Sequence, residues 1–192
     1  MRWYILASGP SLAQADVRAV RGRGVVCAVN NTIFAAPWAD VLFAADTDWW
    51  KEYGRQVAGI KAKKIAVWPR AKNYGATEIV ECESGTGYNA ERIRRGGGRG
   101  NSGYMAICYA VMQGATDIAL LGFDMAHSFG KKHWHGDHPK HMGNATNPDE
   151  WILGFEHLAR DLELIGVTVV NCSRVSRLTC FPRMTLEALH GV

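Results

Sequence analysis

The sequence has no Cys-x-x-Cys pair, no internal repeat, no long basic run and no apolar stretch of membrane-spanning length. Its five cysteines, Cys27, Cys82, Cys108, Cys172 and Cys180, are scattered along the chain. An odd number at such wide spacing argues for reduced, buried thiols in a cytoplasmic setting rather than a disulfide framework. Gln113, Asp117 and Asp124 interrupt the most hydrophobic part, so no membrane span is expected. The opening apolar run is too short for a signal peptide and reads as a first strand. The net charge of +4 without a basic run suits small anionic ligands as well as nucleic acid and separates neither. What is present is 192 residues, 47% apolar and 21% charged, enough for one globular domain (1–192) with its own core.

Short apolar runs alternate with helical patterns. Strands are expected at 3–7, 25–30, 41–46, 63–68, 77–82, 117–124 and 167–171. Helices are expected at 12–20, from Trp49, from Asn101–Ser102 to Gly114, from an Asn147 cap with Pro148 in the first position, and at 185–190. This alternation implies an α/β fold, a single Rossmann-like domain whose mainly parallel sheet carries helices on both faces. Two stretches lack periodicity and read as loop insertions, 83–100 and 125–148.

The first strand runs into Ser8-Gly9-Pro10-Ser11. Gly9 permits a sharp turn and a close ligand, and Pro10 suits the first turn of a helix. The free N–H groups of a helix start attract an anion, most naturally a phosphate. Asn30, Asp46 and Asp124 stand just past strand ends, where open α/β sheets keep their ligands. The Asn101-Ser102-Gly103 helix start is a second anion site, and Arg92, Arg94, Arg95 and Arg99 among glycines offer planar forks of donors to a phosphate. Mg²⁺ through Asp46 and Asp48 and Zn²⁺ through the histidine loop are the two candidate cofactors, neither of them fixed. The competing reading is that Asp46 ends a strand and Asp48 caps the following helix.

The 125–148 loop holds five of the seven histidines: His127, His133, His135, His138 and His141. Residues 133–138 spell His-Trp-His-Gly-Asp-His, similar to the metal signature of metallo-β-lactamase-type hydrolases. In that family the motif comes early and a long β-rich half follows; here only 54 residues remain, with His157 and His190 among them. His133 and His135 are kept as candidate metal ligands, and one histidine near the sheet edge as a general acid or base.

The ordered set of Ala7-Ser8-Gly9-Pro10-Ser11-Leu12, Asn30, Gly100-Asn101-Ser102-Gly103, Gly114 to Asp124 and a His-bearing loop resembles the bacterial lipooligosaccharide sialyltransferases that use CMP-sialic acid. It also resembles their relatives with a domain of unknown function, which include archaeal 6-hydroxymethylpterin diphosphokinases and phage or prophage members. The resemblance implies that Ser8, Gly9, Pro10, Ser11 and Asn30 hold the nucleotide. It implies that Ser102 and Gly103, with Arg99 nearby, hold the donor phosphate. By spacing, it implies that His141, with His138 next, takes the acceptor proton. Ser8 stands where the family has Asn, and the tyrosines that assist phosphate departure have no counterpart in 125–148.

The expected partner is a nucleotide or nucleotide-sugar, with an acceptor the sequence does not name and a homo-oligomer left open. The leading expectation is a CMP-sugar-type glycosyltransferase-like enzyme. The alternatives are a Mg·ATP-dependent diphosphokinase on the same loops, with Asp46, Asp48 or Asp124 on the ion, and a non-catalytic nucleotide-binding phage accessory protein.

Overall fold

The computed structural model describes residues 1–98, 100–126, 130–142 and 148–191. Seven strands form one parallel sheet: β1 (Arg2–Leu6), β2 (Val25–Val29), β3 (Val41–Phe43), β4 (Lys63–Ala66), β5 (Glu78–Ile79), β8 (Asp117–Leu121) and β9 (Thr168–Asn171). Their spatial order is β5-β4-β3-β2-β1-β8-β9. Between β5 and β8, β6 (Cys82–Glu83) and β7 (Ile93–Arg94) pair as a separate two-stranded sheet. The helices are α1 (Gln14–Ala19), α2 (Thr47–Tyr53), α3 (Ser102–Met112), α4 (Asp149–Leu164) and α5 (Leu186–His190). This is the expected α/β architecture of Rossmann type, and no helix among the described residues is long and apolar enough to cross a membrane.

Side chains alternate across each strand, so a parallel sheet buried on both faces needs apolar residues at every position. Trp3, Ile5, Cys27, Val29, Phe43 and Ile65 pack on one face beneath α3 and α4. Tyr4, Leu6, Val26, Ala28, Leu42 and Ala66 pack on the other, against α1, α2 and α5. The second face is held by Trp49 and Trp50, both buried, whose indole N–H groups donate to Asn31 Oδ1 at 2.6 Å and to the Ala44 carbonyl at 2.9 Å. Each ring therefore buries its apolar body and satisfies its one polar atom. All five cysteines are unpaired, as expected.

The chain travels outward from β1 to β5 and then returns to place β8 on the opposite side of β1. Connections leaving β1 and β8 consequently diverge and open a crevice at their carboxyl ends. One buried joint shapes it. Asp124, just beyond β8, is 1% exposed. Its Oδ2 accepts the Ser11 N–H at 2.8 Å and its Oδ1 accepts the Ser11 hydroxyl at 2.7 Å. Gly9 lies so close that a Cβ there would overlap Asp124 Oδ1 and the Gly122 carbonyl. The Gly9 N–H donates to that same carbonyl at 2.8 Å.

This joint revises the reading of the first loop. The helix expected over 12–20 starts only at Gln14, with Ala13 before it and no side-chain cap, and Ser11 is turned onto Asp124. Pro10 therefore stands in a turn closed by the Leu12 N–H on the Gly9 carbonyl at 3.1 Å, not in the first turn of a helix. Gly9 is a glycine because of the protein wall behind it, not because a ligand comes close on that side.

The 83–100 segment also differs from a plain solvated loop. The β6–β7 pair lies inside it, Tyr104 Oη donates to the Gly87 carbonyl at 2.9 Å, and the Tyr88 N–H donates to Asp161 at 2.7 Å. Three of its arginines are engaged: Arg92 with Glu81 at 3.2 Å, Arg94 with Glu83 at 3.1 Å, and Arg95 with Ser84 at 2.5 Å. Arg99, His127 and the Asn147 cap lie outside the described residues. Pro148 precedes α4 instead of forming its first residue.

Because backbone and a buried carboxyl bound Gly9 on its closed side, Gly9→Ala should destabilise the fold by about 3 kcal/mol. Equilibrium urea unfolding checks this; a loss below about 1 kcal/mol would mean the wall yields and the joint is not rigid.

Candidate functional site

A cleft of about 660 Å³ opens over the carboxyl ends of β1, β2, β3 and β8. Its floor is Ala7, Ser8, Gly9, Gly122 and Asp124 at the β1–β8 crevice. Asn30, from the turn after β2, and Asp46, Asp48 and Trp49, from the start of α2, form one side. Gly100 to Gly103 at the start of α3 form the end, and residues from the histidine loop and the start of α4 close the remaining wall.

Asn30 enters α-left-handed space at φ 51°, which side chains other than Gly rarely adopt. The only other non-glycine residue in that region among those described is Met125, at φ 47°, and both line the cleft. Such outliers persist where the surroundings over-determine them, and they gather at functional sites. Next to Asn30, Asn31 is buried and accepts the Trp49 indole N–H, which ties the turn after β2 to α2. Asn30 Oδ1 is buried and has no hydrogen-bond partner among the described residues. An unsatisfied buried acceptor costs about 1–3 kcal/mol, so a donor arriving in the cleft would be welcomed there.

The two helix starts at the cleft differ electrostatically. On α3, the Asn101 side chain caps by accepting the Tyr104 N–H at 2.9 Å. The N–H groups of Ser102 and Gly103 are left over, since a first turn has no intrahelical acceptors for them. No acidic residue stands in that turn. On α4 the first turn already carries Asp149 and Glu150, which offset its positive end. An anion is therefore drawn to the α3 end. Gly103 itself is required by packing: a Cβ would press on the Phe123 ring at 2.9 Å.

Asp46 precedes α2, and its side chain makes no capping bond. Its carboxyl is raised above the ordinary aspartate range, first because protein surrounds it and then because Asp48 is near. Asp48 is lowered by its hydrogen bond with Lys51, at 2.8 Å. The pair thus divides into a carboxyl that holds a proton more readily and one already neutralised by a lysine. Burial raises Asp124 as well, with the two Ser11 bonds opposing.

The histidine loop reaches the cleft through Trp134. Its backbone N–H donates to the Ser8 carbonyl at 3.1 Å, and its indole N–H donates to Thr32 Oγ1 at 3.2 Å. Thr32 is fully buried and donates in turn to the Ala7 carbonyl at 3.2 Å. His133 and His135 flank this anchor with parallel rings, 2° apart in plane and 5.2 Å between centroids. His138 meets both edge-on at 4.9 Å. Burial, then the neighbouring His138 and His133, pushes the His135 imidazole down to about 4, and burial lowers His138 too.

Of the residues singled out in the sequence, Ser8, Gly9, Asn30, Asp46, Asp48, Asn101, Ser102, Gly103, Asp124, His133 and His138 line one cleft. Pro10 and Ser11 stand behind it, and His135 stands in the trio. His141 is outside: it lies in an exposed turn with Nε2 3.4 Å from Glu52 Oε2. Trp134 was not singled out, although a lone tryptophan in a polar loop signals an anchoring contact. Met125 and Lys132 also line the cleft without a sequence signal, and so does Trp151, whose helical spacing marked it only as a sheet-facing position. No family model matches the chain, and no curated protein or solved structure matches it either.

If Trp134 is the anchor, Trp134→Ala should raise amide exchange across 133–138 by at least about tenfold while protection of the sheet stays unchanged. Hydrogen-exchange mass spectrometry reads both, and unaltered exchange in the loop would assign its position to other contacts.

Proposed function

We propose that the cleft binds a nucleotide or nucleotide-sugar and that the protein is a glycosyltransferase-like enzyme. The observation that carries this reading is the pairing of two features across one cleft: the buried Asn30 Oδ1, without a partner among the described residues, and the α3 N-terminus, whose own first turn holds no acidic residue. A nucleoside phosphate supplies what both lack, a hydroxyl or amine donor for Asn30 and an anion for the Ser102 and Gly103 N–H groups. The volume of about 660 Å³ suits a ligand of that size.

In such a transfer the donor phosphate leaves with negative charge, and oriented backbone N–H groups at the α3 start stabilise that charge as it forms. The acceptor hydroxyl must lose a proton. His141 is not among the residues that line the cleft, whereas Asp46 is and has a carboxyl raised above the ordinary aspartate range, so Asp46 is the candidate base. A Mg·ATP diphosphokinase needs carboxylates free for the ion. Here Asp48 is paired with Lys51 and the Asp124 carboxyl is buried under Ser11, which favours the transferase.

Thermal unfolding against CMP, CDP, UDP and ATP, each with and without Mg²⁺, tests the reading. CMP and CDP are expected to stabilise without Mg²⁺, by about 2.7 kcal/mol at 100 times Kd. Asn30→Gly keeps the left-handed backbone and deletes the acceptor, so it should weaken binding about tenfold with little change in the ligand-free protein. A shift confined to ATP with Mg²⁺ would favour the diphosphokinase, and no shift with any nucleotide would remove the reading.

Once a turnover assay exists, kcat/KM should fall on acidification with an apparent pKa above the ordinary aspartate value of about 3.9, because Asp46 must be ionised to accept a proton and its pKa is raised. Asp46→Asn should cost about 10²–10⁴ in rate and abolish that limb; a retained limb would assign the proton to another group.

A further inference from the structure

One nitrogen from each of His133, His135 and His138 lies within 4.8 Å of the other two. Among the described residues this is the one cluster of three or more His, Cys, Asp or Glu side chains with ligand atoms so close together. Edge-to-face packing alone would bring the rings together without making their nitrogens converge. His135 Nε2 is also buried without a hydrogen-bond partner among the described residues. The arrangement is imposed by the fold. Trp134 is held at two points on Ser8 and Thr32, and this directs the side chains on either side of it to one place.

We infer that His133, His135 and His138 form a three-histidine site for a borderline divalent metal ion, Zn²⁺ in kind, set in the wall of the cleft. Imidazole nitrogens about 2.0–2.1 Å from a tetrahedral Zn²⁺ sit about 3.3 Å from one another, so modest rotation of the three rings completes the site. An all-imidazole ligand set selects Zn²⁺-like ions over Mg²⁺ or Ca²⁺, which want oxygen. Three protein ligands leave a fourth position open. Two of the three, His133 and His138, line the cleft, so the ion contributes positive charge to the wall that Lys132 also lines. The inference stands on the trio alone and holds whichever ligand fills the cleft.

The test uses the full chain stripped with a chelator and titrated with Co²⁺ followed by visible spectroscopy, then with Zn²⁺ by calorimetry. The expected result is one equivalent bound, with the intense visible bands of a four-coordinate Co²⁺ site and no thiolate charge-transfer band. His135→Ala and His138→Gln should each weaken binding by more than about 100-fold, beyond the usual effect of losing an outer contact. Their metal-free circular dichroism and melting should match the parent. His141→Ala and His157→Ala should bind as the parent does. Failure of the parent to bind, a thiolate band, or unchanged binding in the His135 and His138 variants would each overturn the site.

Discussion

The buried carboxyl of Asp124 is the constraint on which the cleft depends. It carries the two Ser11 bonds and backs against Gly9, and so it couples the loop after β1 to the end of β8. These two strands are neighbours in the sheet but their onward connections part, and beyond the backbone bonds from Ala7 to Leu121 and from Gly9 to Gly122 it is this carboxyl that ties the two loops together. A charged group taken from water is tolerated only when hydrogen-bonded. Here the serine supplies both donors, and the Arg183 charge helps to hold the carboxyl's pKa down against burial. The result is a rigid floor from which the other walls are measured.

The walls divide the electrostatic work. The α3 start is positive because its first turn carries no carboxylate, while the α4 start is neutralised by its own acidic residues. Across from α3, the turn after β2 is locked by the Trp49–Asn31 bond, which leaves Asn30 in a strained backbone conformation with its acceptor meeting no donor among the described residues. Strain and an unsatisfied acceptor on one residue are difficult to explain as packing alone. They fit a site built to receive a ligand that donates on one side and is anionic on the other.

The histidine loop joins the same cleft through two hydrogen bonds from one tryptophan. Trp134 inserts against Ser8 and Thr32, and the three imidazoles follow from where that ring sits. His141, only three residues beyond His138, falls in the next turn and faces Glu52 instead. Spacing along a non-periodic segment carries no information about direction, so two nearly adjacent histidines end in different surroundings.

The sequence by itself determined the sheet and most of what stands at its ends. Apolar runs bounded by Gly, Asn and Asp mark the central strands because a parallel sheet buried on both faces demands continuous hydrophobicity. Polar residues just past those runs, Asn30, Asp46 and Asp124 among them, were legible as cleft residues because topology sends strand ends to one edge. Only the tertiary structure decided the role of each. Ser11, read as part of a ligand-binding loop, turns both its N–H and its hydroxyl onto Asp124, 113 residues away. The arginines of 83–100 read as phosphate ligands until Glu81, Glu83 and Ser84 engage three of them. His133, His135 and His138 converge because of a tryptophan contact to a loop more than 100 residues earlier. Each of these outcomes turns on a pairing between distant segments, and local pattern records which partners a side chain can satisfy but not which of them it meets.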